Sequence, residues 1–228
     1  FFLGTAFKNF PLALEFSVES LPSFIASIPD FKTLIRNPVS VFYKVIYKAG
    51  MRLSEITEGS SAAQKIFLVT GKIGAGKTAF AKNLAGIFRQ ENISTVGFFS
   101  ERVIEDQVTT GYDLVNAETG ERRVFLRQNG EMGVEKIGRF SVNQAGLEMG
   151  RDILNTVSLS NARIVIIDEV GLYELGGQGW SEGLEKLLAN KKKHLIITVR
   201  DTNLRKVLDK WKFEGPVVFN VGQTDYHD

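Results

Sequence analysis

The sequence predicts an α/β fold in which helices flank a mainly parallel sheet, with a β-hairpin insertion and an N-terminal helical extension. From residue 65 onwards, short apolar runs rich in β-branched residues alternate with segments whose apolar residues recur at helical spacing. Such alternation is typical of crossover units, which build parallel sheets. The run 163–171 is apolar enough to be buried on both faces, as the central strand of a parallel sheet is.

The first predicted strand covers residues 65–70, and a helix over residues 77–90 follows it. The helix is predicted from four apolar residues at helical spacing, namely Phe80, Leu84, Ile87 and Phe88. Residues 93–100 predict a second strand because they are largely apolar and β-branched. Together the three elements make one crossover unit.

A β-hairpin is predicted between residues 107 and 127. Two alternating segments flank the short sequence AETGE, which places Gly120 in the turn. Residues 135–142 predict one further short strand, and residues 144–158 predict a helix. Because the hairpin interrupts the alternation of strand and helix, we interpret it as an insertion into the α/β domain.

The C-terminal part of the chain returns to the alternating order. After the central strand, apolar residues between 180 and 188 predict a helix, and residues 194–199 predict another strand. Residues 204–211 predict a further helix, and residues 216–221 a last strand. We therefore assign residues 63–228 to one α/β domain.

Residues 1–62 differ in composition from the rest and are interpreted as an N-terminal extension of short helices. They hold four of the five prolines and eight of the seventeen phenylalanines, a proline density that allows only short helices. The best helical candidate is residues 39–51. The extension either packs on the main domain or is a membrane-proximal or partner-docking segment, since aromatic and basic side chains suit a headgroup interface.

Composition excludes several classes of function. The formal net charge is +2, from 28 basic and 26 acidic residues, so there is no strong nucleic-acid signal. The absence of cysteine excludes disulfides, thiolate zinc sites and cysteine nucleophiles. No apolar run is long enough to span a bilayer. We expect a cytoplasmic protein, with membrane association of a longer protein as an alternative, because the chain starts at Phe1 rather than at a methionine.

A phosphate-binding motif stands between the first predicted strand and its helix. Residues 71–78 match G-x-x-x-x-G-K-[ST], the P-loop pattern, in which glycines let backbone N–H groups curl around phosphate oxygens. The following helix presents its unpaired N–H groups to the same anion. The predicted nucleotide-binding residues are Gly71, Lys72, Ile73, Gly74, Ala75, Gly76, Lys77, Thr78 and Ala79. The expected substrate is a nucleoside triphosphate, ATP or GTP.

Four side chains are predicted to carry the chemistry of a P-loop. Lys77 should bridge the β- and γ-phosphates, and the Thr78 hydroxyl should ligate Mg²⁺. A P-loop also needs a carboxylate at the end of a neighbouring strand, and Asp168, after four apolar residues, supplies this second magnesium ligand. Glu169 follows directly, where a general base could orient a water against the γ-phosphate. The predicted catalytic residues are therefore Lys77 and Glu169.

Two further residues are candidates for the site because each ends a predicted strand. Arg200 follows the strand 194–199 at the carboxyl edge, where ligands bind in such sheets, and could stabilise charge in the transition state. Glu101 follows the second strand and could meet either the attacking water or a base. For Arg200 a solvent-facing role is the alternative.

With these residues placed, the chain resembles the THEP-type nucleoside-triphosphatases, a P-loop family that includes the human cancer-related nucleoside-triphosphatase. The resemblance covers about residues 65–220 and is carried by GKIGAGKT, VGFFSERV, TGYDLVNAETGERRVFLRQ, GRFSVN and RIVIIDEVGLYEL. It implies a compact α/β domain with a β-hairpin insertion and slow, Mg²⁺-dependent hydrolysis of several nucleoside triphosphates. It also implies phosphate binding by the loop, magnesium binding by Asp168 and a base role for Glu169.

The chain departs from the family pattern in the segment after its second strand. Family members usually show Glu-Val-Arg there and an arginine before Gly-Phe-Asp, whereas this chain has Glu101-Arg102-Val103 and Thr110. Leu172 stands where lysine is frequent. Hydrolysis of nucleoside triphosphates is the function we predict. The alternatives are a kinase-like phosphotransferase, with a hydroxyl acceptor in place of water, and a nucleotide-gated module coupled to a membrane or protein partner through residues 1–62.

Overall fold

The computed structural model describes residues 64–90, 92–128 and 135–221. The described strands are β1 Ile66–Gly71, β2 Thr95–Glu105, β3 Val108–Asn116, β4 Arg122–Arg127, β5 Lys136–Ile137, β6 Phe140–Val142, β7 Ile164–Val170, β8 His194–Arg200 and β9 Val217–Asn220. The described helices are α1 Lys77–Gln90, α2 Gln144–Thr156, α3 Leu172–Leu175, α4 Ser181–Asn190 and α5 Asp201–Trp211, with a short 3-10 helix at Val157–Leu159.

All of these strands belong to one mixed sheet in the order β5-β6-β4-β3-β2-β7-β8-β1-β9. Five of them, β2, β7, β8, β1 and β9, run parallel and form what we call the parallel half. The other four, β3, β4, β6 and β5, pair antiparallel and form the antiparallel half. The predicted α/β fold with a hairpin insertion is confirmed, and the insertion extends the sheet beyond β2.

The junction between the two halves is longer than the sequence predicts. β2 continues to Glu105, five residues beyond the predicted end at Ser100, and pairs with β3 along that extension. Asp106 and Gln107 connect the two strands, with φ values of 48° and 64°, as a two-residue hairpin turn with a right-handed twist requires. The prediction was wrong here because the added residues are mostly exposed and polar and lack an apolar strand pattern.

The hairpin and the segment after it follow the prediction with two corrections. β3 and β4 pair antiparallel around a turn in which Gly120 has a φ of +76°. Residues 135–142 form two short paired strands rather than one, with Gly138 in the turn between them. The predicted helix 144–158 ends as an α-helix at Thr156 and continues as the 3-10 helix.

Two apolar layers cover the two faces of the sheet. On one face, α1 buries Phe80, Leu84 and Phe88 against strands of the parallel half. On the other face, Trp180 is fully buried and its ring lies 4.7 Å from that of Phe98. Burying one such side chain contributes on the order of 1.5–3 kcal/mol, so these layers hold the sheet edge that carries the site in a fixed geometry.

The predicted N-terminal extension, residues 1–62, and its helical candidate at 39–51 lie outside the described residues. The division of the chain at residue 63 stays a prediction. Within the three described ranges, no helix is long and apolar enough to cross a membrane.

Candidate active site

The phosphate loop joins β1 to α1 at the carboxyl end of the parallel half, as the sequence predicts. Gly74 and Gly76 have φ values of +84° and +91°, in the left-handed region that favours glycine. A Cβ atom at Gly76 would meet no heavy atom within 4 Å, so the backbone conformation alone requires glycine there. Inside the loop, the Ala75 N–H donates to the Lys72 carbonyl at 3.1 Å. The loop is therefore preformed.

Lys77 is buried at the base of the loop. Only 6% of the residue is exposed, and its Nζ donates to the carbonyls of Gly71 and Lys72, both at 3.1 Å. Burial lowers the pKa of Lys77, and the nearby Arg200 lowers it further, although the charge of Glu169 acts against this. The Lys77 ammonium is thus hydrogen-bonded to the loop with which it is predicted to bind phosphate.

Asp168 and Thr78, the two predicted magnesium ligands, lie together. Asp168 is 1% exposed; its Oδ2 accepts from the Ser100 N–H at 3.0 Å and its Oδ1 from the Thr198 hydroxyl at 2.5 Å. Burial raises the pKa of Asp168 to about 6, against hydrogen bonds from Thr198, Ser100 and Thr78 that favour the carboxylate. The residues thus offer one carboxylate and one hydroxyl, both hard oxygen donors of the kind that suit Mg²⁺.

The donor set of Asp168 and Thr78 fits a magnesium ion that also takes oxygens from phosphate and water. No group of three or more His, Cys, Asp or Glu side chains that could hold a metal occurs in the described part of the chain. Mg²⁺ is usually bound by one or two carboxylates plus substrate phosphates rather than by an all-protein cage. Asp168 and Thr78 are therefore compatible with a metal that binds together with a nucleotide, and their role as its ligands stays a prediction.

A bulge in β7 brings two consecutive carboxylates to the same cleft. β7 and β8 pair at Ile167 with Ile197 and next at Val170 with Val199, which leaves one extra residue in β7. Bulges re-aim side chains at the ends of paired strands. Asp168 is thereby buried between neighbouring strands while Glu169 faces the cleft. The peptide bond between these two residues is cis.

Glu169 and Arg200, predicted separately from two strand ends, form an ion pair. The Arg200 Nε donates to the Glu169 Oε1 at 2.6 Å, and 28% of the Glu169 side chain is exposed. Arg200 directly precedes α5. The pair lies at the carboxyl edge of β7 and β8, beside the loop, where a carboxylate could orient a water towards a bound γ-phosphate.

Glu101 reaches the cleft but is occupied by cations. It pairs with Lys82 of α1 at 2.7 Å and with Arg122 of β4 at 2.5 Å. Partial burial opposes ionisation, but the hydrogen bonds from Lys82 and Arg122 outweigh it and hold the pKa of Glu101 below its usual range. Arg122 also contacts Asp113 at 3.2 Å. Glu101 thus ties α1 to the antiparallel half, and its role towards water stays a prediction.

Several residues of the cleft were not predicted. The cleft has a volume of about 390 Å³, and besides the loop, Glu101, Glu169 and Arg200 it is lined by Lys82, Ser100, Arg102 and Tyr112. Thr198, which supports Asp168, could have been found from its place two residues before Arg200 at the end of β8. Tyr112 and Arg102 depend on the unpredicted β2 extension and its pairing with β3.

A second buried carboxyl near the cleft has a structural role. Glu174 of α3 is 3% exposed, and its Oε2 accepts from the Gly171 N–H at 2.8 Å. Burial raises the pKa of Glu174 to about 7, against hydrogen bonds from backbone N–H groups. The hydrogen bond to Gly171 stabilises the turn that follows β7.

Comparison with known proteins gives the family. A family model described as NTPase matches residues 66–225, which is most of the chain and includes both the loop and the two carboxylates. The chain belongs to the NTPase family. The prediction of a P-loop enzyme that hydrolyses nucleoside triphosphates is confirmed at this level.

Curated relatives and solved structures agree with this membership. Nucleoside-triphosphatase THEP1 of Archaeoglobus fulgidus is 31% identical over 149 residues, covering 65% of this NTPase and 85% of the relative. Nucleoside-triphosphatase THEP1 of Pyrococcus abyssi is 28% identical over 148 residues, covering 64% of this chain and 78% of the relative. The fold is similar to the crystal structure of THEP1 from Aquifex aeolicus, with a TM-score of 0.57 and 20% identity, covering 71% of this chain and 92% of that one.

A second solved structure shares the fold, the solution structure of a human cancer-related nucleoside triphosphatase. Its TM-score is 0.56 at 22% identity, with 72% of this NTPase and 91% of that chain covered. At these identities the two structures show the fold alone. The relatives do not favour the phosphotransferase or the nucleotide-gated module, and a partner for residues 1–62 has no support.

Proposed function

We propose that this NTPase hydrolyses nucleoside triphosphates in the cleft between its phosphate loop and the carboxyl ends of β7 and β8, with Mg²⁺ as cofactor. One observation carries the proposal: Thr78 and Glu169 line the same cleft, and the buried Asp168, directly before Glu169, is held at its edge by Ser100 and Thr198. The residues predicted to bind metal, to bind phosphate and to orient water are therefore neighbours around this cleft. The names of the relatives support the same activity.

Phosphate binding uses the loop and Lys77. The loop amides and the N-terminus of α1 present N–H donors and partial positive charge to the β-phosphate. Lys77 would exchange its hydrogen bonds to the Gly71 and Lys72 carbonyls for phosphate oxygens. Because the ammonium is buried and its present acceptors are neutral carbonyls, a charged phosphate is the stronger partner.

Thr78 and Asp168 would hold the magnesium ion, Thr78 directly and Asp168 directly or through water. When bound, Mg²⁺ supplies positive charge that neutralises oxygens of the β- and γ-phosphates. Ser100 and Thr198 position Asp168, since they donate to its two oxygens from β2 and β8. With both oxygens anchored, the carboxylate is oriented before a ligand arrives.

Glu169 would orient the water that attacks the γ-phosphorus. The water oxygen forms the new bond to phosphorus, and the bond to the β–γ bridging oxygen breaks, releasing a nucleoside diphosphate and inorganic phosphate. Glu169 accepts a hydrogen bond from the water and could receive its proton. Arg200 holds the Glu169 side chain through Oε1, which fixes its direction.

Phosphate release by the purified chain tests the proposal. We expect release from ATP and GTP with Mg²⁺, and loss of release with EDTA or in Lys77→Ala. The control is Glu182→Gln, because the Glu182 side chain is 81% exposed and pairs only with the neighbouring Lys186 in the described chain. A wild-type chain that binds nucleotide and releases no phosphate with Mg²⁺ would overturn the proposed function.

A further inference from the structure

Four cationic side chains line the cleft: Lys77, Lys82, Arg102 and Arg200. Three of them have partners. Lys77 donates to two loop carbonyls, Lys82 pairs with Glu101, and Arg200 pairs with Glu169. The side chain of Arg102 of β2 makes no hydrogen bond or ion pair with any residue in the described ranges, although its backbone pairs with Tyr112 of β3. Among the described residues of this cleft, Lys77 and Arg102 both lack an ion-pair partner, and Arg102 also lacks a side-chain hydrogen bond.

The Arg102 side chain extends from β2 across the mouth of the phosphate loop. Its Nη2 lies 3.9 Å from the position that a Cβ atom would occupy on Gly74, in the middle of the loop. Its neighbour Glu101 turns instead to Lys82 and Arg122. One nitrogen of the guanidinium therefore lies beside the loop that is predicted to bind phosphate.

The end of the cleft at the phosphate loop carries positive potential. The loop amides, the N-terminus of α1 and the Lys77 ammonium all contribute positive potential to the cleft. The carboxylates of Glu101 and Glu169 also line the cleft but pair with other cations, so a polyphosphate would be a partner for the Arg102 guanidinium. Its planar fork of donors also matches phosphate oxygens, which it can bind with two parallel hydrogen bonds.

We propose that Arg102 is a catalytic residue, whose guanidinium binds oxygens at the β–γ bridge of the nucleoside triphosphate and stabilises the charge that develops there. The proposal rests on the proposed function. As the γ-phosphorus bond to the bridging oxygen breaks, the electron pair stays on the leaving diphosphate, and Arg102 stabilises this charge without giving up a proton. The same strand thus supplies Glu101 to an ion-pair network and Arg102 to the reaction.

Steady-state kinetics of Arg102→Ala, Arg102→Gln and Arg102→Lys test the proposal. We expect Arg102→Ala and Arg102→Gln to lower kcat by about 10²- to 10³-fold, the usual loss when one charge-stabilising donor is removed, with KM changed far less. The kcat of Arg102→Lys should lie between those two variants and the wild type, because lysine keeps the charge but not the planar pair of donors. Free guanidinium should restore part of the rate of Arg102→Ala.

The matched control is Arg163→Ala. Arg163 is an exposed arginine directly before β7, at the opposite edge of the sheet from the cleft. Its replacement by alanine should leave kcat unchanged. If Arg102→Ala keeps the kcat of this control, or raises KM alone, the catalytic role is overturned while the proposed function stands. If the wild type itself releases no phosphate, the proposed function and this inference both fail. Thermal unfolding of each variant shows that a lost rate is not a lost fold.

Discussion

The parallel half of the sheet ends at the cleft, whereas the antiparallel half passes beside it. In the parallel half, three strand ends deliver the loop, the Asp168–Glu169 pair and Arg200, all through backbone geometry. The antiparallel half contributes contacts from the sides of its strands, among them the ion pairs of Arg122 and the ring of Tyr112. The parallel half therefore holds the residues predicted to carry the chemistry, and the antiparallel half forms one wall of the cleft.

The largest expected effect lies in the parallel half, at Asp168. Asp168→Asn removes the carboxylate from the magnesium ligand set while keeping its shape. We expect phosphate release to fall about 10³-fold, because a bound metal contributes several kcal/mol of charge stabilisation. The matched control is Asp209→Asn on the exposed side of α5. A loss of less than tenfold in Asp168→Asn would remove Asp168 from the metal site.

A second prediction tests how the antiparallel half is supported. Gly150 of α2 lies against the Trp180 ring, and a Cβ atom there would be 2.4 Å from Trp180 Cζ3. We expect Gly150→Ala to lower the free energy of unfolding by roughly 1–3 kcal/mol through overpacking. Urea unfolding measures this change.

Gly86→Ala in α1 is the control, because a Cβ atom at Gly86 meets nothing within 4 Å. Alanine in an open helical position should stabilise the chain by roughly 0.5–1 kcal/mol. Equal stability changes for Gly150→Ala and Gly86→Ala would show that α2 does not pack on the sheet as described.

A third prediction concerns pH and again the parallel half. The pKa of Asp168 is raised to about 6, so in the free enzyme the carboxylate needed for magnesium is lost as pH falls through about 6. We expect kcat/KM to fall about tenfold per pH unit below that point at limiting Mg²⁺. The same shift means that, without metal, ionising this buried carboxyl costs stability as pH rises from about 4 to 6. A flat kcat/KM between pH 5 and 7 would contradict it.

The smallest expected effect is at Glu101, where the two halves meet. Glu101→Gln removes the charge that pairs with Lys82 and Arg122, which are each about half exposed. Partly exposed ion pairs contribute little to stability. We therefore expect the free energy of unfolding to fall by less than about 1 kcal/mol and kcat to change less than tenfold. A loss of kcat by more than 100-fold would instead give Glu101 the catalytic role that its strand-end position suggested.

The difference between the parallel and antiparallel halves explains which site residues could be predicted from the sequence. The loop, Asp168 and Glu169 belong to local patterns, an apolar strand followed by polar residues, and those patterns place them without knowledge of any distant contact. Arg102 and Tyr112 could not be placed, because their positions depend on the pairing of β2 with β3 beyond the predicted end of β2. The bulge at the end of β7 also depends on a neighbouring strand.

Glu169 is proposed to convert nucleotide binding into hydrolysis, and Glu169→Gln tests this role most directly. The variant keeps the shape of the side chain and removes its charge. We predict that isothermal titration with a non-hydrolysable ATP analogue and Mg²⁺ gives wild-type affinity within about threefold, while phosphate release falls at least 10²-fold, as for a lost general base. Undiminished phosphate release by Glu169→Gln would contradict the account.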